Sequence, residues 1–256
     1  MAGGSCADAQ EPPALTAREI MEKNFFVGKV RHLVNETTMT LINDKGQQRV
    51  RKTYSVSSLQ PNGIDSKIMI RFLFPADVER TGYLQIQHHE GDDDMWIYLP
   101  ALKKVRRLVA NNKRDSFVGS DFSYGDLLLP TVDTYRHSLV RREVLDGEPC
   151  FVIESVPATE QIMKYYGYSK TVSWIRLSNF MEKKVDYYDA AGRFLKTHMV
   201  PEVKEVDRVN HKWWALRREV VNHQTGHRTV LVYTALDSSQ TLQDEFFTPR
   251  FLEREQ

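Results

Sequence analysis

Asp92-Asp93-Asp94-Met95-Trp96-Ile97-Tyr98-Leu99-Pro100-Ala101-Leu102-Lys103-Lys104-Val105-Arg106-Arg107, followed closely by Ser116-Phe117-Val118-Gly119-Ser120-Asp121-Phe122-Ser123-Tyr124-Gly125-Asp126-Leu127, is the stretch on which the reading turns. Its first part is a strand over 95–99 and a second over 105–109. Its second part breaks the alternation: residues 111–130 hold two glycines and the apolar run Leu127-Leu128-Leu129, and suit a loop with one or two helical turns. A loop that carries Phe117, Phe122, Tyr124 and three leucines needs an apolar surface to lie on, as the lid of a cavity does. The stretch offers no nucleophile–base pair and no metal-ligand spacing. So specific a segment with so little reactive chemistry points to binding.

Outward from there the period is two, the spacing of strands. Strands are expected over 38–42, 48–58, 68–74, 83–88, 135–144, 150–156, 171–177, 184–188, 194–206, 213–221 and 229–236, with turns at Asn43-Asp44-Lys45-Gly46, Asp146-Gly147, Ala190-Ala191-Gly192 and His223-Gln224-Thr225-Gly226. In the 48–58 strand Val50, Tyr54 and Val56 share one face with Lys52, while Arg49, Arg51, Thr53 and Ser55 occupy the other. The helical period is confined to the start, where Thr16-Ala17-Arg18-Glu19 forms a capping box ahead of Ile20, Met21 and Phe25. Residues 1–15 are expected to be a flexible leader, and 16–252 one mainly β domain of about ten or eleven strands in an antiparallel meander. So long a sheet must curl, and the N-terminal helix and the 111–130 segment are the available fillers of its concave side. The aromatic 246–252 segment is expected to dock.

Composition removes several function classes. Lys+Arg 35 against Asp+Glu 34 gives a formal charge of +1, without the basic excess of a nucleic-acid binder. A local basic patch of Lys103, Lys104, Arg106, Arg107, Lys113 and Arg114 is the only candidate. Hydrophobic residues at 41% supply a sizeable core. Two cysteines, Cys6 in the leader and Cys150 in an apolar run, make neither a disulfide framework nor a zinc site. No apolar run approaches the roughly 20 residues that span a bilayer. Phosphate-binding, dinucleotide-binding and hydrolase motifs are missing. His88-His89 beside Glu90 and Asp92–Asp94 is the only ligand-rich cluster, but neighbouring residues of a strand point to opposite faces, so no metal is expected there. Asp121 and Asp126 form a bare carboxylate pair that reads better as structural anchoring than as acid–base chemistry. No cofactor is expected.

The Asp-Asp-Met-Trp96-Ile-Tyr98-Leu99-Pro100-Ala101 through Arg106-Arg107 run and the Phe117-Val-Gly119-Ser120-Asp121-Phe122-Ser-Tyr124-Gly-Asp126-Leu127 run resemble the signature of the outer-membrane lipoprotein-sorting protein family, a LolA-like group of periplasmic proteins. Further pieces fit it: Thr38-Met39-Thr40-Leu41 with Arg49-Val50-Arg51, the 75–84 segment, and Phe247-Thr248-Pro249-Arg250. The resemblance implies a strongly curved antiparallel sheet, an unclosed half β-barrel, with helices covering its concave face. It implies a non-enzymatic carrier of lipid or lipoprotein acyl chains in the periplasm of a Gram-negative bacterium, its signal peptide removed. Implied partners are lipid or acylated lipoprotein cargo, an inner-membrane exporter and transient contacts with membrane-embedded proteins. On the run quoted above, this chain departs from the motif of LolA itself, so LolA's own cargo and partner contacts do not carry over.

On this reading Ile70, Phe72, Trp96, Tyr98, Phe122, Tyr124, Leu127, Leu128 and Trp174 are the candidates for the cavity wall and lid. Arg106, Arg107, Asp121 and Asp126 are the candidates for holding the lid or meeting an anionic head group. The plainer expectation is that the aromatics form the core of a closed β-domain. A sensor or interaction module on the same scaffold, binding a protein partner, is the rival function.

Overall fold

The computed structural model describes residues 15–254; most of the expected leader, and Cys6 with it, lies outside the described residues. Helix α1 (Ala17–Val27) is followed by β1 (His32–Ile42), β2 (Gln48–Leu59), β3 (Ser66–Phe74), β4 (Gly82–Ile86), β5 (Asp94–Leu99) and β6 (Lys104–Leu108). After a connection over residues 109–134 come β7 (Tyr135–Leu145), β8 (Glu148–Pro157), helix α2 (Glu160–Tyr166), β9 (Tyr168–Arg176), β10 (Glu182–Asp189), β11 (Phe194–Asp207), β12 (Lys212–Asn222), β13 (Arg228–Asp237) and helix α3 (Pro249–Glu253). The described strands form one thirteen-stranded sheet in the order β6-β5-β4-β3-β2-β1-β13-β12-β11-β10-β9-β8-β7. Every pairing is antiparallel, and the sheet does not close, since β6 and β7 are its two ends. Thirteen strands replace the expected ten or eleven: each stretch read as a strand from the sequence, down to the short Gly82–Ile86 and Lys104–Leu108, pairs in the sheet, and the expected total was an undercount of them.

The order explains the shape. β6 and β7 lie at opposite ends of the sheet, so residues 109–134 must travel from one end to the other, and they do so as a strap across one face. Strap residues bond to Arg51 on β2, Thr229 on β13, Lys196 on β11 and Tyr168 on β9. From β2 to β9 is six strand spacings, which would be about 29 Å on a flat sheet. Helix α1 likewise packs against both β7 and β12, which are five spacings apart. A helix about 10–12 Å across reaches both only if the sheet curls around it.

Helix α1 starts as expected. Thr16 Oγ1 accepts from the Glu19 N–H at 3.2 Å, and Glu19 Oε2 accepts from the Thr16 N–H at 2.8 Å. Its inner side buries Ile20 against Phe151, Ile153 and Ile175. Asn24 Nδ2 donates to the Phe180 carbonyl at 2.8 Å, and Lys212 Nζ donates to the Phe26 carbonyl at 2.9 Å, a cation at the helix C-terminus. Helix α2 was not expected from the sequence. It is capped by Thr159, whose side chain accepts from the Ile162 N–H, and stopped by Gly167 at φ +79°.

The C-terminal segment docks on the opposite face. Phe247, Phe251 and Leu252 bury there with Val34, Val56, Met69, Leu84 and Tyr98. Arg71 on β3 donates from Nη2 to the Phe251 carbonyl at 2.8 Å and from Nη1 to that of Arg254 at 3.1 Å, satisfying the last carbonyls of α3. So of the three helices α1 lies on the strap side, while α3, in the C-terminal segment expected to dock, lies on the other.

Candidate functional site

The strap folds on itself before it crosses. Ser116 and Ser123 form an antiparallel bridge, the Phe117 N–H donates to the Phe122 carbonyl at 2.7 Å, and Val118 and Gly119 both take positive φ at the tip. Left-handed backbone is cheap for Gly119 and costly for a β-branched residue, and Arg51 Nη1 donates to the Val118 carbonyl there. The small hairpin drives Phe117 and Phe122 into the sheet, and Tyr124 follows. Phe117 meets Phe72 and Tyr83 with ring centroids 6.0 and 5.4 Å apart, and Tyr124 meets Tyr83 at 5.2 Å. These four rings are a solid aromatic footing for the strap.

Polar anchors complete the attachment. Asp126 Oδ2 accepts from Lys196 Nζ at 2.6 Å and from the Ser123 N–H at 2.7 Å, while its Oδ1 accepts from the Tyr168 hydroxyl at 2.9 Å. The Lys196 ammonium also lies over the rings of Tyr168 and Tyr187. Thr229 Oγ1 accepts from the Asp121 N–H at 2.9 Å and donates to Asp121 Oδ2 at 2.7 Å. Burial pushes the Asp121 carboxyl up, and the Thr229 hydrogen bond opposes that. Behind the strap, Gly125 has no room for a side chain: a Cβ would lie 2.9 Å from Tyr166 Cδ1 and 3.1 Å from the Lys113 carbonyl oxygen. Helix α2 thus clamps the strap from its outer side.

Between strap, helix α1 and sheet a cavity of about 150 Å³ remains, measured as the space open to the centre of a water molecule. Its apolar wall includes Phe25, Met39, Ile68, Ile70, Leu231 and Tyr233, and the strap contributes Phe117, Phe122, Leu127, Leu128 and Leu129. A seam of short polar side chains, Asn35, Thr37, Thr53 and Ser55, runs through it from β1 and β2. Lys29, just past α1, reaches in and donates to Ser66 Oγ at 3.1 Å and Gln87 Oε1 at 2.9 Å. Burial brings the Lys29 ammonium down to about 8, against the pull of Asp65 and Asp93. A second cavity of about 90 Å³ adjoins, sharing Asn24, Phe25, Leu129 and Glu182 with the first.

The expected residues fall in three places. Ile70, Phe122, Leu127 and Leu128 line the cavity; Phe72 and Tyr124 stand in the aromatic footing beside it. Trp96 and Tyr98 sit on the other face, under Phe247, Phe251 and Leu252, and their neighbours Met95 and Ile97 take the strap side. Trp174 also points away from the cavities: Ser173 lines the second one, while the Trp174 indole donates to Glu143 and carries the Lys184 ammonium on its ring. One residue of register separates the two outcomes. Arg107 pairs with Asp94 at 2.5 Å on the surface, and neither it nor Arg106 touches Asp126; Lys196 and Tyr168 take that carboxylate. Lys113 leaves the expected basic patch for a buried pair with Asp93 at 3.0 Å. His88 and His89 turn to different carboxylates, Asp94 and Asp65. Sequence reasoning passed over Tyr83, Lys196, Thr229, Arg51 and the cavity residues of β12, and it named Phe117 in the apolar loop without counting it among the wall residues. Lys196 was marked only by its alternation with His198 and Val200.

An open antiparallel sheet, curled around a helix and a strap with a cavity between them, defines the LolA-like class of fold. A putative outer-membrane lipoprotein-sorting protein domain from Vibrio parahaemolyticus is 30% identical and superposes with a TM-score of 0.85 over 93% of this chain and 98% of that one. A DUF1329 family protein from Desulfovibrio piger is also 30% identical, with a TM-score of 0.85 over 92% and 97%. A LolA superfamily protein from Nitrosomonas europaea, at 20% identity and a TM-score of 0.71 over 93% and 100%, shares the fold. A family model described only as "Uncharacterized protein" matches residues 64–254, and no curated protein matches the sequence. The chain belongs to the outer-membrane lipoprotein-sorting protein family.

Proposed function

We propose that this protein is a non-enzymatic periplasmic carrier that shelters the acyl chains of a lipid or lipoprotein between the strap, helix α1 and the sheet, and passes them between membrane-bound partners, an inner-membrane exporter among them. The observation that carries the reading is the cavity itself, walled by aliphatic and aromatic side chains on a strap tied down by a few identifiable bonds. Moving bare acyl chains through water costs about 0.8 kcal/mol per CH₂, so a carrier must enclose them, and enclosure needs no catalytic group. Leu127, Leu128 and Leu129 are half-buried, which supports a reading in which the strap side of the wall gives way to cargo.

Native mass spectrometry of freshly purified protein, followed by organic extraction, tests this. A stoichiometric co-purifying lipid, lost in folded Leu127→Glu and Leu128→Glu variants, is the expected result. A clean apo mass, together with no fatty-acid binding at micromolar concentration, would favour the interaction module instead. One observation speaks for that second reading: β7 is an open edge on which Val140 and Val144 are 52% and 67% exposed, a template onto which a partner strand could add.

A further inference from the structure

Arg218, on β12, lines the larger cavity and is half-buried. The other arginines drawn into the body of the protein spend their guanidinium groups on acceptors. Arg176 takes Glu148 at 2.5 Å and the Val200 carbonyl at 2.6 Å. Arg71 takes the carbonyls at the end of α3 with both Nη groups, its Nε alone left without an acceptor, Arg51 takes Val118, and Arg217 takes Glu219 at 2.7 Å. The Arg218 side chain makes no hydrogen bond and no ion pair with any described residue, and its buried Nε has no acceptor. Trp214, on the same strand and lining the same cavity, has a buried indole N–H that also lacks one. One opposite charge lies within its field without closing on it. Glu182 lines the cavity too, and the Arg218 charge opposes the upward push of burial on its carboxyl, but no ion pair or hydrogen bond joins the two. A half-buried charge with no contact ion pair is costly, and a wall that offers donors in excess calls for an acceptor from outside.

We propose that Arg218 is the counter-ion for an anionic head group, so that the cargo is an amphiphile bearing a carboxylate or phosphate at the end of its acyl chain. This rests on the carrier reading and narrows it. The diacylglyceryl thioether of a lipidated cysteine carries no such charge at the chain ends, so the proposal favours free anionic lipids over lipoproteins. The planar guanidinium suits either anion, because carboxylate and phosphate both accept two parallel N–H bonds.

Calorimetric titration of delipidated protein with dodecanoate, dodecyl phosphate and the neutral 1-dodecanol, all below micelle-forming concentration, tests both levels. A charge-assisted bond of the usual strength makes the anionic probes bind about tenfold or more tighter than the alcohol. Arg218→Gln removes that preference and leaves alcohol binding within about twofold, and the ratio of the two anions tells a carboxylate cargo from a phosphate one. An unchanged preference in a folded Arg218→Gln variant overturns the proposal while the carrier reading stands. Failure of all three probes to bind the wild-type protein overturns the carrier reading itself. Should Arg218→Gln not fold, Arg218→Lys carries the test. With its charge kept it must retain the anionic preference, and equal affinity of wild-type protein for dodecanoate and dodecanol overturns the assignment.

Discussion

The two faces of the sheet over β1–β5 are built from alternate residues of the same strands and have opposite properties. On one face Val34, Val56, Met69, Leu84 and Tyr98 meet Phe247, Phe251 and Leu252 so closely that a Cβ on Gly82 would stand 3.0 Å from Leu252 Cδ2. On the other, Asn35, Thr37, Thr53 and Ser55 face a cavity roofed by the strap. The hollow face is thus the more polar one in β1 and β2. Short hydroxyl and amide side chains bond to one another there, as Ser55 Oγ and Thr37 Oγ1 both do to Asn35 Oδ1, at 2.9 and 3.0 Å. They satisfy their own polarity without filling space. A cavity survives where the sheet side is cut short and the roof is fixed at its two ends.

The contrast can be broken at its strongest points first. The Lys196–Asp126 pair holds the strap with side chains only 5% and 9% exposed. Lys196→Met strands a buried carboxylate and costs about 3–5 kcal/mol, read as a fall in the denaturant midpoint with unchanged slope. On the solid face, Phe251→Ala costs about 3–4 kcal/mol, whereas Leu128→Ala at the half-buried cavity wall costs about 1 kcal/mol. Equal losses in thermal unfolding would remove the distinction between the faces. Gly125→Ala, which pushes the strap off Tyr166, costs about 1–3 kcal/mol and is expected to speed hydrogen exchange at the Phe117 and Tyr124 amides, which bond to the Phe122 and Asp115 carbonyls, more than at Phe251.

Lys29 sharpens the comparison through pH. Its pKa falls from 10.5 to about 8 on folding, so the unfolded chain holds the extra proton between those values. Stability from this group therefore rises as pH climbs from about 8 toward 10.5, by roughly 2 kcal/mol between pH 8 and 10. The charged form is disfavoured in the fold at lower pH. Chemical denaturation across that range, wild type against Lys29→Met, should show the slope in the wild type and lose it in the variant.

Much of the fold was legible because local signals agree with it. The Thr16–Glu19 capping box, the alternating strands and the apolar loop that needed a surface all match what forms. The faces were not legible. Trp96, Tyr98 and Trp174 are the most conspicuous side chains of their strands, yet Met95, Ile97 and Ser173 are the ones turned toward the strap side. Alternation says which residues share a face and nothing about which face is inside; that is decided by a C-terminal segment that covers the first five strands from a distance in sequence. The anchors were hidden for a similar reason. Lys196 and Thr229 lie 70 and 108 residues from the aspartates they hold, and no local pattern joins them.

The four tryptophans allow the central claim to be tested directly, since Trp213 and Trp214 line the cavity while Trp96 and Trp174 face the other way. Brominated fatty acids quench indole fluorescence only at contact. Titrated into a Trp96→Phe/Trp174→Phe protein, they are expected to quench most of the emission, and in a Trp213→Phe/Trp214→Phe protein to leave it nearly unchanged. Quenching of Trp96 and Trp174 instead, or of neither pair despite measurable binding, would place the acyl chain elsewhere and contradict the account.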